Sequence, residues 1–255
     1  MSILPDRIQP LNDRGVQEGA RFVLYWMEQS QRAQHNPALE RALHHASETG
    51  LPLLVVFGVA DDFSEATLRH HTFLLEGLQE TQQRLADRGV KLVVRYGAPD
   101  DVALEYAGAA AVLVTDRGYL RHQKRWRARV AKESPCRVEQ VEGDVVVPVE
   151  TVTDKAEYAA RTIRPKIHEH LERCLQLPDA VPVETSSLDL DVDSGRSLDD
   201  IEAVTDQLDL DRSVGPVSDL YPGGVSEAED ILDDFLAEHL DGYDENRNQI
   251  HSHAV

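Results

Sequence analysis

LPLLVVFGV, residues 51–59, is an almost uninterrupted apolar run with the length of one β-strand. Four similar runs accompany it: RFVLYWM (21–27), VKLVVRY (90–96), AAVLVTD (110–116) and RVEQVEGDVVVPVE (137–150). The last of these predicts a strand followed by an extended exit. Continuous apolar runs of this kind are typical of strands that are buried on both faces of a parallel sheet.

Helical patterns separate these runs. Asn36-Pro37 is a good helix start, and Gly50 is a good stop thirteen residues later. Further helices are predicted at 67–88, 98–107 and 119–134. This alternation predicts a doubly wound α/β domain with a five-stranded parallel sheet over residues 21–150. Ligands of such domains bind beyond the carboxyl ends of the strands, at a switch point.

The remaining sequence predicts four flanking segments. Residues 1–20 show no period and predict a loose lead-in, whereas 151–177 predict a helical extension. Residues 178–222 are polar, acidic and rich in turn residues, which predicts a linker. Residues 223–255 contain one amphipathic helix, at 226–240, whose apolar stripe needs a partner, and then a polar end.

Charge is distributed unevenly along the 255 residues, whose net charge is −20. Residues 178–255 hold 21 acidic and 3 basic residues, so most of the excess lies there. Five of the 26 basic residues are lysine. This composition favours a protein that stays soluble in concentrated salt, because salt screens self-repulsion. A disordered acidic tail in an ordinary cell is the alternative interpretation.

Composition excludes several classes of protein. No apolar run approaches the roughly 20 residues of a membrane span, and the charged start MSILPDRIQPLNDRG does not resemble a signal peptide. Cys136 and Cys174 are too few for a disulfide framework or a four-ligand zinc site. We therefore expect a soluble cytoplasmic protein without a membrane partner. Neither GxGxxG after the first strand, nor a P-loop, nor GxSxG is present.

The densest basic stretch is RGYLRHQKRWRARVAK, residues 117–132, which begins just after the fourth predicted strand. Arg121, Lys124 and Arg125 have the spacing of one helix face. Phosphate binding, contact with a nucleic-acid backbone and docking to acidic residues of the same molecule all fit this stretch. A solvated helix face is the simplest alternative.

The histidines, paired carboxylates and tryptophans indicate a functional site less clearly. His44-His45, His70-His71 and the pair His168 and His170 are badly spaced for metal binding, so surface histidines without a metal are expected. Asp61-Asp62 and Asp100-Asp101 make no case for paired acid–base catalysis, and the second pair suits the first turn of a helix. Trp26 and Trp126 are expected to pack in the core.

Several stretches, in order, resemble class II DNA photolyases. They are YWMEQSQRAQHNPALERAL (25–43), LPLLVVFGVADDFSEATLRHHTFLLEGLQE (51–80), VTDRGYLRHQKRWR (114–127), VEGDVVVPVE (141–150), DKAEYAARTIRPKIHEHL (154–171) and PGGVSEAEDILDDFLAEHLDGYDENRN (222–248). The resemblance covers most of residues 21–248. Together with the acidic composition, it suggests a haloarchaeal-like member of that family.

The resemblance implies a light-driven repair enzyme for cyclobutane pyrimidine dimers in DNA. Such enzymes join an α/β domain, which often holds a deazaflavin or folate antenna, to a helical domain that binds FAD. Excited reduced FAD passes an electron to the flipped-out dimer. By resemblance, Tyr243 contacts FAD and Arg247 faces DNA. No catalytic residue of the family is expected within these 255 residues.

The resemblance stops where the flavin domain begins. We therefore expect an amino-terminal fragment without autonomous repair, unless a second polypeptide supplies the helical domain. An α/β module that binds an antenna chromophore or a nucleotide without catalysis is the alternative. A third hypothesis is an interaction role in which the acidic tail binds a basic partner. The excess of acidic residues after residue 177 also predicts no lesion-specific DNA binding by this chain alone.

Overall fold

The described residues form one six-stranded sheet. The computed structural model describes residues 3–61, 63 and 66–249. The strands lie in the order β1-β6-β5-β2-β3-β4. From β2 to β6 all neighbouring strands are parallel, and β1 is antiparallel to β6. The strands are β1 (Ile8–Pro10), β2 (Phe22–Trp26), β3 (Leu53–Val59), β4 (Lys91–Tyr96), β5 (Ala110–Asp116) and β6 (Arg137–Val141).

The five-stranded prediction is wrong by one strand, because part of the expected loose lead-in joins the sheet as β1. Farther along the lead-in, the side chain of Asn12 donates to the carbonyl oxygens of Ala131 and Cys136 at 3.0 and 3.1 Å, and it accepts from the Val138 amide at 3.1 Å. A three-residue edge strand needs no apolar period and tolerates Pro10, so its sequence carries little signal.

Helices connect the strands and continue beyond the sheet. They are α1 (Pro37–Thr49), α2 (Leu68–Asp87), α3 (Pro99–Ala107), α4 (Arg121–Glu133), α5 (Val149–Val152), α6 (Ala160–Cys174), α7 (Ile201–Thr205), α8 (Val225–Asp234) and α9 (Tyr243–Asn246). A π-helical turn, Phe235–His239, follows α8. The mixed α/β architecture is confirmed. Among the described residues, no helix is both long and apolar enough to cross a bilayer.

Alternate residues of β2 are buried toward different helices. Phe22, Leu24 and Trp26 lie in one core cluster with residues of α3 and α4. Tyr25 is also fully buried, and its hydroxyl accepts a hydrogen bond at 3.1 Å from Asn36, the residue that caps α1. Because successive side chains of a strand point to opposite faces, α1 covers the face opposite to α3 and α4.

The acidic stretch 178–197 packs along the outer strand β4. The Lys91 amide donates to Ser187 Oγ at 2.7 Å, and Lys91 Nζ donates to the Leu190 carbonyl at 2.8 Å. Gly195 pairs with Val94 in an isolated parallel bridge. Gly195 has φ +72°, and a Cβ atom there would overlap the Val94 carbonyl oxygen. This stretch, predicted as linker, thus covers an exposed sheet edge.

The chain divides into two compact units. The sheet unit comprises residues 1–63 and 82–197, and the second unit comprises 64–81 and 198–255. Within the second unit, Glu76 accepts a hydrogen bond from the Gly223 amide at 2.7 Å. Glu80 accepts from the amide and the hydroxyl of Ser226, the latter at 2.6 Å. These contacts fix the start of α8 to the first part of α2.

Candidate functional site

Asp116 organises the carboxyl edge of the sheet, between β2 and β5. Its Oδ2 atom accepts the backbone N–H groups of Glu28 and Gln29, each at 2.9 Å, and its Oδ1 atom accepts the Tyr25 hydroxyl at 3.0 Å. Burial raises the pKa of Asp116, and the backbone hydrogen bonds reduce that rise. Burial and the neighbouring Asp116 charge raise the pKa of Tyr25. The strand order reverses at this point, which is where ligands of open α/β sheets bind.

Asn36 fixes the loop that follows β2. Its Nδ2 atom donates to the Tyr25 hydroxyl at 3.1 Å and to the Ser30 carbonyl at 2.9 Å. Its Oδ1 atom accepts from the amides of Ala38 and Leu39, both at 3.1 Å. A helix cap therefore also holds residues 28–36 in one shape.

Glu28 places a carboxyl group at this edge. Thr115 Oγ1 donates to its Oε1 atom at 2.9 Å, while Oε2 has no hydrogen-bond partner among the described residues. Burial raises the pKa of Glu28 to about 8, although the nearby Arg127 charge opposes the rise. The side chain is thus largely protonated at neutral pH and can donate as well as accept a hydrogen bond.

Glu28 belongs to a group of buried polar atoms that lack a partner within the described part of the chain. The four atoms are Trp26 Nε1, Glu28 Oε2, Ser30 Oγ and Arg127 Nη1. Three of them belong to alternate residues, Trp26, Glu28 and Ser30, at and just after the carboxyl end of β2. Buried polar groups normally find partners, so this group indicates a place that takes up water or a ligand. We call Trp26, Glu28, Ser30, Asp116 and Arg127 the carboxyl-edge cluster.

Three aromatic rings lie beyond β3 and on α4. The His122 and Trp126 centroids are 4.8 Å apart, and Phe63 meets them edge-on at 5.2 and 5.9 Å. Phe63 is 43% exposed, and Trp126 is partly buried against the core cluster. Exposed rings of this kind can contact a flat heterocycle. Trp26 and Trp126 both pack against the core, as predicted.

The basic stretch 117–132 is divided among several surroundings. Arg117 pairs with Glu142 at 3.2 Å and with Glu150 at 2.7 Å. Arg129 Nη1 contacts Asp100 at 2.8 Å and Asp101 at 2.7 Å, which explains the acidic pair at the start of α3. Arg127 is buried. Four bases stay exposed, namely Arg121, Lys124, Arg125 and Lys132. A single basic face is therefore not formed.

The expectation of surface histidines is wrong for His45 and His71, each 4% exposed. His45 Nε2 lies 2.9 Å from Glu139, which also contacts Arg41 at 2.8 Å. Burial alone would raise the pKa of Glu139, but the hydrogen bonds from His45 and Arg41 lower it to about 2. This buried group joins α1 to β6. Of the Asp61-Asp62 pair, Asp62 lies outside the described residues.

The two residues predicted to meet flavin and DNA lie in the second unit. Tyr243 begins α9, and its ring meets Phe235 edge-on at 5.7 Å. Arg247 follows α9 and lies 4.0 Å from Asp244. Among the described residues of α8, α9 and the π-helical turn, none is buried. These residues therefore do not enclose a flavin.

The family model described as DNA photolyase matches residues 23–185, the region that contains the parallel part of the sheet, except Phe22, and the carboxyl-edge cluster. The chain belongs to the DNA photolyase family. A "Deoxyribodipyrimidine photo-lyase" of Methanothermobacter thermautotrophicus is 41% identical over 95% of this chain and 53% of the relative. The protein of that name from Potorous tridactylus is 33% identical over 95% of this chain and 46% of the relative. The chain thus spans about half the length of these relatives.

Solved photolyases share the fold. A bacterial class III photolyase from Agrobacterium tumefaciens matches with a TM-score of 0.65 and 21% identity, over 91% of this chain and 48% of that one. An archaeal photolyase from Sulfolobus tokodaii, described with two FAD molecules, matches with a TM-score of 0.57 and 16% identity, over 82% and 45%. At these identities the likeness concerns the fold alone.

Sequence reasoning missed most of the carboxyl-edge cluster in this photolyase-family chain. Glu28 and Ser30 follow a strand in a stretch without a motif, and in the sequence Asp116 is only the end of an apolar run. One signal was available: a charged residue directly after a buried parallel strand lies at the edge where ligands bind.

Proposed function

We propose that this chain is the amino-terminal portion of a deoxyribodipyrimidine photo-lyase, an enzyme that uses light to split cyclobutane pyrimidine dimers in DNA. The family match and two relatives of that name support this function. Class II membership rests on the stretches that resemble that class. A haloarchaeal-like origin rests on the net charge of −20. A cytoplasmic location rests on the apolar runs, none of which approaches the length of a membrane span.

The contribution of this portion is to hold an antenna chromophore at the carboxyl edge of the sheet. The observation that carries the proposal is the set of unpaired buried polar atoms in the carboxyl-edge cluster. A deazaflavin or folate ring has carbonyl and N–H groups that could bond Trp26 Nε1 and the protonated Glu28 carboxyl. The rings of Phe63, His122 and Trp126 would contact its flat surface.

FAD is assigned to the whole enzyme rather than to this portion alone. When bound, reduced FAD supplies the electron that opens the dimer. In this chain Tyr243 would give it one aromatic contact, and Arg247 would lie toward DNA phosphates. The other contacts would come from the part of the relatives that this chain does not match, or from a second polypeptide.

Chromophore binding tests the antenna role. The full chain would be mixed with a deazaflavin or a folate, separated from free ligand, and scanned between about 350 and 500 nm, where such rings absorb. We expect retained absorption, and its loss in Trp26→Phe, which keeps an aromatic side chain but replaces the indole and so removes Nε1. Glu48→Gln, an exposed change on α1, is the control. Equal retention in Trp26→Phe, or no retention by the wild type, would contradict the antenna role.

Repair requires a second experiment. Wild-type chain would be combined with the helical portion of the Methanothermobacter thermautotrophicus relative and FAD, and dimer loss under blue light would be measured. Repair that needs both polypeptides supports the photolyase proposal. Chromophore retention without repair would instead favour a binding module without catalysis, since the chain spans half of its relatives.

A further inference from the structure

A second concave surface lies beside α4, on the side of β6 and β1. Its volume is about 820 Å³, which is within the size of small-molecule sites. Five basic side chains line it, and among the described lining residues Asp13 is the one acidic side chain. We call this surface the α4 groove; its basic residues are Arg14, Arg117, Lys124, Arg127 and Lys132. A positive groove is unexpected in a chain with a net charge of −20.

Two lysines of the groove have charges that no described residue neutralises. Lys124 and Lys132 are exposed, and neither makes an ion pair within the described ranges. Eight positions separate them on one helix, so they lie on the same face about 12 Å apart along the axis. Arg14 Nη2 donates to the Lys132 carbonyl at 3.0 Å, which brings a third cation to that end.

Arg127 supplies a buried cation with a free donor. It is 5% exposed, its Nε atom donates to Gln140 at 3.0 Å, and its Nη2 atom donates to the Gly118 carbonyl at 2.5 Å. Its Nη1 atom has no partner among the described residues. A buried guanidinium N–H without a partner is costly, and a phosphate oxygen is a strong acceptor for it.

We propose that the α4 groove binds a nucleotide that carries at least two phosphate groups. Lys124 and Arg127 contact phosphate at one end of the groove, and Arg14 and Lys132 contact it at the other. The apolar lining, Leu11, Ala128 and Ala131, gives the base or sugar a surface. The groove shares Arg127 with the carboxyl-edge cluster. Arg14, Lys124 and Lys132 line the groove and do not belong to that cluster, so variants of the two lysines test the groove separately from the antenna role.

Calorimetric titration of the full chain with ADP tests the groove. We expect ADP to bind, pyrophosphate to compete with it, and adenosine not to bind. Lys124→Gln combined with Lys132→Gln should lower ADP affinity about tenfold or more. Arg121→Gln combined with Arg125→Gln is the matched control, because it removes the same charge from the exposed side of α4 outside the groove. The control should change affinity less than about twofold.

Three results would overturn the proposal. One is the absence of binding by both ADP and pyrophosphate up to about 5 mM. Another is an equal loss of ADP affinity in both double variants, because that would reflect general charge rather than the groove. The third is a single-stranded oligonucleotide that binds much more tightly than ADP and displaces it, which would assign the groove to nucleic acid. Circular dichroism of each variant checks folding, and both double variants change only exposed side chains.

Discussion

Apolar residues of the sheet unit and apolar residues at the end of the second unit differ in burial. In β2 every residue is buried, and Leu24 is 0% exposed. In the stripe of α8 and its π-helical turn, four side chains are at least half exposed: Ile231, Leu232, Leu236 and Leu240. The pattern therefore identifies the apolar face of an element, but not whether a partner covers it.

The largest expected effect concerns buried charge. Glu139 is fully buried and accepts from Arg41 and His45. Glu139→Gln leaves Arg41 without a full counter-charge and disturbs the hydrogen bond with His45, so we expect a loss of about 3–5 kcal/mol in the free energy of unfolding. Asp230→Asn, on exposed α8, is the control and should change it by less than about 0.5 kcal/mol. Denaturant titration of both variants measures the difference.

The stabilisation that the Glu139 carboxylate provides depends on pH. The folded-state pKa of Glu139, about 2, lies below its ordinary value of 4.5. Its stabilisation is therefore complete above the ordinary value and is lost as pH falls toward the folded value. The difference in the free energy of unfolding between wild type and Glu139→Gln should become smaller as the pH falls from 5 to about 2. A constant gap would contradict the buried ion group.

The next effect compares two leucines. Leu24→Ala opens a cavity in the core cluster, so we expect a loss of about 2–4 kcal/mol in the free energy of unfolding. Leu232→Ala removes a side chain that is 53% exposed and should cost less than about 1 kcal/mol. Thermal unfolding of both variants tests this. Equal losses would mean that the stripe of α8 is buried in solution, and the contrast between the regions would then fail.

The sheet was predictable because its strands are continuous apolar runs. The run LPLLVVFGV predicts β3, and Asn36-Pro37 and Gly50 predict the two ends of α1. The edge strand β1 was not predictable, since one partly buried residue followed by two exposed residues leaves no periodic signal. The packing of 178–197 was also hidden: the bridge from Gly195 to Val94 uses backbone groups, which every sequence has.

The candidate site was less predictable than the fold. Tyr25 and Glu28 contact Asp116 because β2 and β5 are neighbours in the sheet. The sequence of a single strand does not predict which strand lies beside it. The dense basic stretch was visible, but its division was not. Whether Arg127 is buried and Lys124 exposed depends on where α4 contacts the sheet.

A smaller effect separates the carboxyl-edge cluster from ordinary surface carboxylates. Burial raises the folded-state pKa of Glu28 to about 8, so ionisation between the ordinary value of 4.5 and 8 disfavours the folded state. The free energy of unfolding of Glu28→Gln should equal that of wild type near pH 4.5. Above pH 8 it should exceed that of wild type by about 1–3 kcal/mol. Denaturant titration across this range checks the sign, and a variant less stable than wild type at high pH would show that the charged form is favoured.

The smallest effect concerns like charges on α8. Glu229 and Asp233 are four residues apart, as are Asp230 and Asp234, and such pairs repel by about 0.2–0.5 kcal/mol each. Asp233→Lys turns the first pair into an attraction in the favourable order, so amide exchange in α8 should slow about twofold to fivefold in dilute buffer. Concentrated KCl should slow exchange in the wild type and reduce the advantage of the variant, because salt screens both interactions. Asp219→Lys, outside the helix, is the control for net charge. If both lysine variants slow exchange equally, total charge rather than helix pairing controls this region, and the acidic composition then acts through the whole chain.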